Sequence, residues 1–409
     1  LAIKCNKLHS ANEGIPATTL REIYALRRIA HPHVIRLFDI SGATNDLVLE
    51  LGDIDLSHAI HSERELDPER IALHLCRGLE YCHSIGIMHR DLKPNNVVLC
   101  GEFAKLVDFG QMRFFYEDGR TYTRVAGTMW YRPPEVILSN GRYDEKVDVW
   151  AMACIYGEIL QKKALFMGSS EVEMLFEIFK LLGRAAYTDF KSYTHYNIDV
   201  LPNFEARMPP SQHLNFLLVA NPKRRPTAKI AREHFERHCG RDYYWTRMKR
   251  NWAIAMQPEQ NAWKKKAPVS QTVINPQMRF TLVEWLLEVG GKFKLSRETR
   301  ILGIGVLDAY LGVANVERYE LQLVGMMALS IASKFEEEFH PELRDWVHIC
   351  NQSFTLPQCI AMEKQICDNL LGLFDTSRLS IFPEIMKSLD ASDRDFAFLT
   401  VSSLILSPR

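Results

Sequence analysis

Residues 89–96, with the sequence H-R-D-L-K-P-N-N, restrict the fold of this chain more than any other segment does. Beyond them come D-F-G at 108–110, P-P-E at 133–135 and D-x-W at 148–150. Any one of these short motifs could arise by chance in a chain of 409 residues. All of them in this order form a specific signature, which indicates phosphoryl-transfer chemistry.

The residue types in these motifs suit that chemistry. Asp91 can accept the proton of an attacking hydroxyl group, and Lys93 can neutralise charge on the moving phosphoryl group. Asn96 and Asp108 offer the hard oxygen atoms that Mg²⁺ prefers. The motifs resemble those of protein kinases, which implies ATP and Mg²⁺ as cofactors. The resemblance also makes Asp91, Lys93 and Asn96 the catalytic residues, with Asn96 and Asp108 as the metal ligands.

The composition argues against several other classes of protein. Lys plus Arg and Asp plus Glu number 50 each, so no net charge favours nucleic acid or an acidic membrane as a partner. The nine cysteines include no C-x-x-C pair, which favours reduced thiols over disulfides, and we set metal binding aside. No apolar stretch reaches the ~18 residues that span a bilayer, and no signal peptide opens the chain. We therefore expect an intracellular protein of the nucleus, the cytoplasm or both.

The pattern of apolar residues divides the chain into parts. Residues 1–60 mix short apolar runs, such as 47–51, with one helical stretch that begins at Pro16. Residues 68–238 are mostly helical with turn-rich loops, and 278–375 form successive amphipathic helices. At ~100–200 residues per domain, the length predicts two or three cores.

The first sixty residues extend the resemblance to kinases. Residues 2–4, A-I-K, resemble the V-A-I-K strand whose lysine holds nucleotide phosphates, and Glu22 is placed to pair with Lys4. Glu50 and Gly52 follow an apolar strand at the place where a kinase hinge meets adenine. The resemblance therefore implies that Lys4, Glu22, Glu50, Gly52 and Asp108 bind ATP.

One kinase element is not found before Lys4. In kinases a Gly-rich loop between two strands precedes this lysine, and the sequence does not contain it. We therefore expect either a kinase that is incomplete at its amino terminus or a kinase-shaped binding protein. Farther along, the resemblance implies a structural ion pair between Glu135 and Arg225.

A narrower resemblance comes from residues 16–22, P-A-T-T-L-R-E. They are similar to the P-S-T-A-I-R-E helix of cyclin-dependent kinases, and the likeness continues through 31–37. Thr123 stands where that family carries its activating phosphate. The resemblance implies that an activating kinase modifies Thr123 and that three arginines bind the phosphate, namely Arg21, Arg90 and Arg113.

The segment W-Y-R at 130–132 is typical of proline-directed kinases, in which Arg132 shapes the pocket for the residue after the target hydroxyl. This chain has Ala126 and Gly127 where the family usually has two valines, one of them in a left-handed conformation that favours proline. Glycine adopts positive φ without strain. We therefore expect a substrate pocket at Arg132 and Gly127 that accepts Ser/Thr-Pro.

Residues 278–289 and 321–337 resemble the first and third helices of a cyclin box. In that family the equivalents of Arg279 and Asp308 form an internal ion pair. The resemblance implies a kinase–cyclin interface that comprises Leu20, Ile23, Lys334 and Glu363. It also implies a patch that docks short basic-leucine motifs of substrates and inhibitor proteins, formed by Met278, Leu282, Trp285, Glu288, Leu321 and Gln322. An apolar stripe at this spacing is, however, typical of a core as well.

The sequence thus predicts a multidomain protein with an α+β protein-kinase fold, incomplete in its small lobe, and an all-α cyclin fold. The predicted parts are a kinase domain at 1–240, a basic linker with a short helix at 241–270, a cyclin box at 271–375 and the truncated start of a second cyclin fold at 376–409. The predicted function is a cyclin-dependent serine/threonine kinase of cell-cycle control that carries its own cyclin. Kinase and cyclin would meet within one chain or between chains. The alternatives are an inactive scaffold and an artefactual gene fusion.

Overall fold

The computed structural model describes residues 1–5, 14–41, 45–115, 122, 127–138, 141–191, 205, 211–238 and 269–370. These residues divide between two compact units. The first unit takes its described residues from 1–5 and 21–255, and the second takes them from 6–20 and 256–409. Among the described residues, no helix combines the length and the apolar character needed to cross a membrane.

A three-stranded antiparallel sheet and one helix open the chain. The sheet has the strand order β1-β3-β2, with β1 at Ala2–Lys4, β2 at Leu37–Ile40 and β3 at Leu47–Leu49. Helix α1 covers Ala17–Arg28, and the carbonyl of Pro16 accepts a hydrogen bond from its first turn. The predicted apolar strand and the helix predicted to begin at Pro16 are thus confirmed. The boundary between the two units falls inside α1, after Leu20.

The rest of the first unit is mainly helical, with short strands that carry the motifs. Its strands are β4 Ile54–Asp55, β5 Ile87–Met88, β6 Val97–Cys100, β7 Phe103–Leu106 and β8 Arg113–Phe114. Its helices are α2 Leu56–His61, α3 Pro68–Ser84, α4 Pro134–Leu138, α5 Lys146–Gln161, α6 Glu171–Lys191, α7 Gln212–Leu217 and α8 Ala228–His238. Helix α5 is buried along almost its whole length and therefore forms the centre of this part.

The hairpin of β6 and β7 brings two distant motifs together. The strands are antiparallel, with Val97 opposite Leu106, so the residue before β6 and the residues after β7 lie at the same end of the hairpin. Asn96 precedes β6 and Asp108 follows β7, and the amide of Val107 donates a hydrogen bond of 3.1 Å to the carbonyl of Asn96. Simple strand pairing therefore places the end of H-R-D-L-K-P-N-N beside D-F-G.

The described part of the second unit is helical, as predicted for 278–375. Its helices are α9 Pro276–Lys292, α10 Arg297–Leu311, α11 Leu321–Glu336, α12 Leu343–Ile349 and α13 Leu356–Leu370. Helix α9 begins with Pro276 after Asn275, whose side chain accepts a hydrogen bond from the amide of Met278. Helix α11 is buried on nearly all sides, which makes it the core helix of this unit. The predicted second cyclin fold at 376–409 lies outside the described residues.

Candidate active site

Lys4, Glu22 and Asp108 form an ion triplet in the first unit. The Nζ of Lys4 lies 2.7 Å from Oε2 of Glu22 and 3.1 Å from Oδ1 of Asp108. Burial lowers the pKa of Lys4, but the two carboxylates outweigh burial and raise that pKa above its ordinary value. For Asp108 burial raises the pKa, and the nearby Lys4 ammonium outweighs it and lowers the pKa. Lys4 is therefore a fixed positive charge at neutral pH, which suits binding of phosphate oxygens.

The carboxylate of Asp91 is held by three neighbouring side chains. Its Oδ2 accepts hydrogen bonds from Nζ of Lys93 at 3.0 Å and from Nδ2 of Asn96 at 3.1 Å. Its Oδ1 accepts from the backbone amide and the hydroxyl of Thr128, at 3.0 and 3.1 Å. These bonds fix the orientation of the carboxylate, as a general base requires. The three predicted catalytic residues thus lie together.

The backbone under this carboxylate is positioned by Asp148 of the D-x-W motif. This fully buried carboxylate accepts hydrogen bonds of 2.8 Å from the amides of both His89 and Arg90, and one of 2.9 Å from Nε2 of His83. Burial raises the pKa of Asp148, but the hydrogen bond from His83 and its other donors lower that pKa below its ordinary value. Arg90 has φ +70°, which is uncommon for a residue other than glycine and is typical of functional sites. Asp148 therefore stabilises a strained turn immediately before Asp91.

Asn96 and Asp108 have the properties of a Mg²⁺ site. The Nδ2 of Asn96 donates hydrogen bonds to both the backbone carbonyl and the carboxylate of Asp91, which leaves the amide oxygen as the atom able to bind a cation. The side chain of Asp108 is 43% exposed, so its carboxylate is accessible. An amide oxygen and a carboxylate are the types of donor that fit Mg²⁺.

The predicted hinge residues follow β3. The amide of Glu50 donates a hydrogen bond of 2.9 Å to the carbonyl of Arg36, and its carboxylate accepts one of 2.5 Å from Nζ of Lys105. Gly52 is half-buried two residues farther on. These bonds anchor the start of the segment after β3 to the neighbouring strands. The role of Glu50 and Gly52 in binding adenine stays a prediction.

Arg132 and Gly127 contact each other near Asp91. The guanidinium of Arg132 donates two hydrogen bonds to the carbonyl of Gly127, from Nε at 2.9 Å and from Nη2 at 2.7 Å. Both residues line a small, partly open cavity that Asp91 and Tyr131 also line. Arg132 and Gly127 therefore border the same space as Asp91.

The three predicted phosphate-binding arginines are buried, with exposed fractions of 6% for Arg21, 7% for Arg90 and 6% for Arg113. Arg90 and Arg113 both lie close to the phenol of Tyr143. Burial raises the pKa of this phenol, and the two positive charges oppose that rise. The pairing of β5 with β8 explains this proximity, since Met88, shortly before Arg90, is opposite Arg113. Thr123 lies outside the described residues.

Glu135 and Arg225 form a fully buried ion pair. The Nη1–Oε1 and Nη2–Oε2 distances are 2.6 and 2.9 Å, and neither side chain is exposed. The guanidinium also donates to the carbonyls of Val219 and Ala220 and lies 4.9 Å from the centre of the Trp150 ring. Such complete bonding offsets much of the cost of burying both charges. The burial and the complete bonding of this pair fit a structural role.

In the second unit, Lys334 and Glu363 hold the backbone of Ile15. The Nζ of Lys334 donates a hydrogen bond of 2.9 Å to the carbonyl of Ile15, and the amide of Ile15 donates one of 2.9 Å to Oε2 of Glu363. Lys334 and Glu363 also pair with each other, and both are buried. Gly14 has φ +66°, and a Cβ there would lie 2.0 Å from Oε2 of Glu363. Only glycine therefore fits beside this carboxylate.

The other residues predicted from the resemblance to cyclins comprise an ion pair, two interface residues and a patch of mixed exposure. Arg279 and Asp308 form a bidentate pair with two N–O distances of 2.6 Å. Leu20 and Ile23 of α1 are buried. In the predicted docking patch, Glu288 is exposed and Leu282 and Leu321 are buried, while Met278, Trp285 and Gln322 lie between these extremes.

Comparison with known proteins identifies the family. The model of the protein kinase domain matches residues 1–235, which are more than half of the chain. This chain belongs to the protein kinase family. A second model, the amino-terminal domain of cyclins, matches residues 251–372.

Relatives of the kinase part are cyclin-dependent kinases. Cell division control protein 2 homolog D of Antirrhinum majus is 35% identical over 263 residues, which cover 57% of this chain and 84% of that protein. Cyclin-dependent kinase B2-2 of Arabidopsis thaliana is 36% identical over 265 residues, covering 57% and 83%. Cyclin-dependent kinase 1 of Encephalitozoon cuniculi is 34% identical over 264 residues, covering 58% and 88%. The chain is a serine/threonine protein kinase of the cyclin-dependent group, joined to a cyclin domain in one polypeptide.

Sequence reasoning missed one member of the kinase site. Thr128 donates two hydrogen bonds to Asp91, and its hydroxyl accepts one of 3.0 Å from Nζ of Lys93. Thr128 lies 37 positions after Asp91, and a single threonine carries no local pattern. The only available signal was its place just before the W-Y-R segment at 130–132.

Proposed function

We propose that this kinase phosphorylates Ser or Thr followed by Pro, and that its own cyclin domain activates it. The observation that carries the activation part of the proposal is a pair of hydrogen bonds: Lys334 donates to the carbonyl of Ile15, and Glu363 accepts from its amide. Helix α1, which carries Glu22, begins only two residues after Ile15. Whatever fixes Ile15 therefore fixes the start of the helix that brings a carboxylate to Lys4.

Each residue of the site has a distinct part in the proposed reaction. ATP would supply the phosphoryl group, and Asn96 and Asp108 would hold Mg²⁺, which would neutralise charge on the triphosphate. Lys4, oriented by Glu22, binds phosphate oxygens. Asp91 orients the hydroxyl of the substrate and accepts its proton. Lys93 bonds to Asp91 and carries a charge suited to the developing negative charge on the phosphoryl group.

The preference for proline is supported by the contact between Arg132 and Gly127. The two hydrogen bonds from the guanidinium occupy the carbonyl of Gly127. A substrate residue with a free amide has no partner there, and an unpaired buried donor costs about 1–3 kcal/mol. Proline has no amide hydrogen and does not incur that cost. The cavity beside Asp91 should therefore prefer a substrate with proline after its hydroxyl residue.

Activation by the cyclin domain is supported by the burial of its two charged residues. Lys334 and Glu363 are 2% and 0% exposed, so their hydrogen bonds to Ile15 do not compete with water. Both backbone polar atoms of Ile15 are bonded, which restrains its position and its orientation. Because kinase and cyclin share one polypeptide, the linker sets a high effective concentration, ~mM for a short flexible tether. We therefore propose that activation occurs within one chain.

We further propose that a phosphate on Thr123 binds Arg21, Arg90 and Arg113. The proximity of both Arg90 and Arg113 to Tyr143 supports this, because phosphate has the charge and the oxygens for bidentate bonds to arginine. The three arginines come from α1, from the loop before Asp91 and from β8. A single phosphate would thus tie three elements of the site together.

A direct test uses the full-length protein, MgATP and a peptide with one Ser-Pro site. We expect phosphate transfer by the wild type and a loss of roughly 10²–10⁴-fold in Asp91→Asn, the range that a positioned general base contributes. Asp39→Asn, which changes an exposed carboxylate in β2, should retain activity. A fully active Asp91→Asn variant would contradict the role of Asp91. A well-folded wild type without any turnover would favour the inactive scaffold instead.

A further inference from the structure

Three histidines of the first unit meet at the end of α8. His213 lies in α7, and His234 and His238 lie in α8. One ring nitrogen from each lies within 4.8 Å of one from each of the others. No other described group of at least three His, Cys, Asp or Glu residues meets this criterion for holding a metal ion. The cluster is separate from the catalytic residues described above.

The spacing of the cluster is that of a metal site. His234 and His238 are four residues apart on one helix, so both rings project from the same face, as in known zinc-binding helices. The Nδ1 of His213 lies 2.8 Å from Nε2 of His234. Two nitrogens on a tetrahedral zinc ion lie about 3.3 Å apart, given Zn–N bonds of ≈ 2.0–2.1 Å. The two nitrogens would therefore have to move apart by about half an ångström. The proton that they share would have to move to the other nitrogen of its ring, and both nitrogens could then bind the ion.

Contacts around the rings hold them in orientations that suit metal binding. The Nδ1 of His238 lies 2.7 Å from the carbonyl of His234 and donates to it, which leaves Nε2 as the atom for a metal. The ring of His234 is stacked on Phe216, with 4.1 Å between centres, and His213 is stacked on Phe235. Restrained rings lose little conformational freedom when they bind an ion.

The cluster is accessible from one side. His213 is buried and His238 is exposed, so one side of the cluster is open to solvent.

We propose that His213, His234 and His238 bind a divalent transition-metal ion, with Zn²⁺ as the expected ion and water in the fourth position. Imidazole is a preferred ligand of zinc, whereas Mg²⁺ prefers oxygen ligands, so this site is distinct from the magnesium site of the kinase. The ion would join α7 to α8 and so brace the end of the first unit.

The test measures bound zinc in the full-length protein. The protein is purified with a tag free of histidine, stripped with a chelator, equilibrated with Zn²⁺ and passed through a desalting column. Elemental analysis should then find about one zinc ion per chain. Substitution of Co²⁺ should give the visible absorption of tetrahedral cobalt.

Two variants test the assignment to these histidines. His238→Gln removes the exposed ligand and should preserve the fold, as circular dichroism would check, while it weakens zinc binding at least about tenfold. His58→Gln changes an exposed histidine elsewhere in the unit and should bind zinc like the wild type. Zinc content in the wild type no higher than in His238→Gln, or the spectrum of hydrated octahedral cobalt, would overturn the proposal.

Discussion

Arg132 donates two hydrogen bonds to the carbonyl of Gly127, and this contact depends on the absence of a side chain on Gly127. Its φ is +71°, and a Cβ there would lie 2.4 Å from the carbonyl oxygen of Arg90. Gly127 therefore lies directly against the turn that precedes Asp91. Gly127 reaches this left-handed conformation without strain, and the packing around it in this chain leaves no room for a Cβ.

The first prediction is that Gly127→Ala impairs catalysis on Ser-Pro peptides. A left-handed conformation costs alanine about 1–2 kcal/mol, and the overlap with Arg90 must also be relieved by movement of the loop. We expect kcat/KM for a Ser-Pro peptide to fall at least about tenfold, which corresponds to 1.4 kcal/mol.

The matched control for that variant is Gly101→Ala. Gly101 has φ +61° but has no atom within 4 Å of the added Cβ, so it carries the conformational cost without the overlap. We expect it to lower thermal stability and to leave kcat/KM unchanged. Equal kinetic effects of the two variants would mean that general destabilisation, and not the contact with Arg90, explains the loss.

The second prediction concerns Thr123. If its phosphate binds the three buried arginines, Thr123→Ala should lower the activity of protein that has been treated with an activating kinase. Thr121→Ala, in the same segment, is the control and should remain fully activated. Phosphopeptide mapping would show which residue is modified. Activity assays before and after treatment would measure the activation of each variant. Full activation of Thr123→Ala would contradict the phosphate site.

The sequence predicts those site residues that belong to a short motif, and it does not predict residues that only the folded chain brings to the site. The motif at 89–96 and D-F-G carry their own residue types, and the antiparallel pairing of β6 and β7 brings them together with little further information. Thr128 was missed because its bond to Asp91 depends on the path of a whole loop.

The histidine cluster was missed for a similar reason. Metal binding was judged from the spacing of cysteines, whereas His213 and His234 lie 21 positions apart on different helices. The contact of Lys334 with Ile15 spans 319 positions. Family resemblance indicated the charged residues there, but only the folded chain shows which backbone atoms they hold.

The third prediction concerns the pH dependence of stability through Asp148. Its folded-state pKa lies below the ordinary value of 3.8. Its ionised form therefore stabilises the fold at all pH values above 3.8, and this contribution is lost as the pH falls below 3.8 toward the folded-state pKa. Asp148→Asn weakens hydrogen bonds to a charged acceptor, which should lower the free energy of unfolding at neutral pH by roughly 1.5–3 kcal/mol.

Urea unfolding of the wild type and Asp148→Asn over a range of pH would measure this contribution. The difference between their free energies of unfolding should be constant above 3.8 and should shrink below it. Asp39→Asn, at an exposed carboxylate, should show a much smaller difference from the wild type. A difference between wild type and Asp148→Asn that grows as the pH falls would contradict the assignment.

We propose above all that Lys334 and Glu363 activate the kinase by holding Ile15. Each hydrogen bond from a charged side chain to Ile15 contributes about 1.5–3 kcal/mol, whereas an exposed charge contributes only about 0–1 kcal/mol. Losing both bonds to Ile15 should therefore have a larger effect than removing two exposed charges. Replacing both residues by alanine avoids leaving one buried charge without its partner. The exposed pair Lys292→Ala with Glu338→Ala is the control in the same unit.

The most direct measurement is the specific kinase activity of the full-length protein and of these two double variants, over a wide range of dilution. We predict that Lys334→Ala with Glu363→Ala lowers activity at least about tenfold, while circular dichroism shows both variants folded. We also predict that the wild type and the control pair show equal activity per molecule at every dilution. Wild-type activity that falls on dilution would contradict activation within one chain, and an unimpaired Lys334→Ala/Glu363→Ala protein would contradict activation through Ile15.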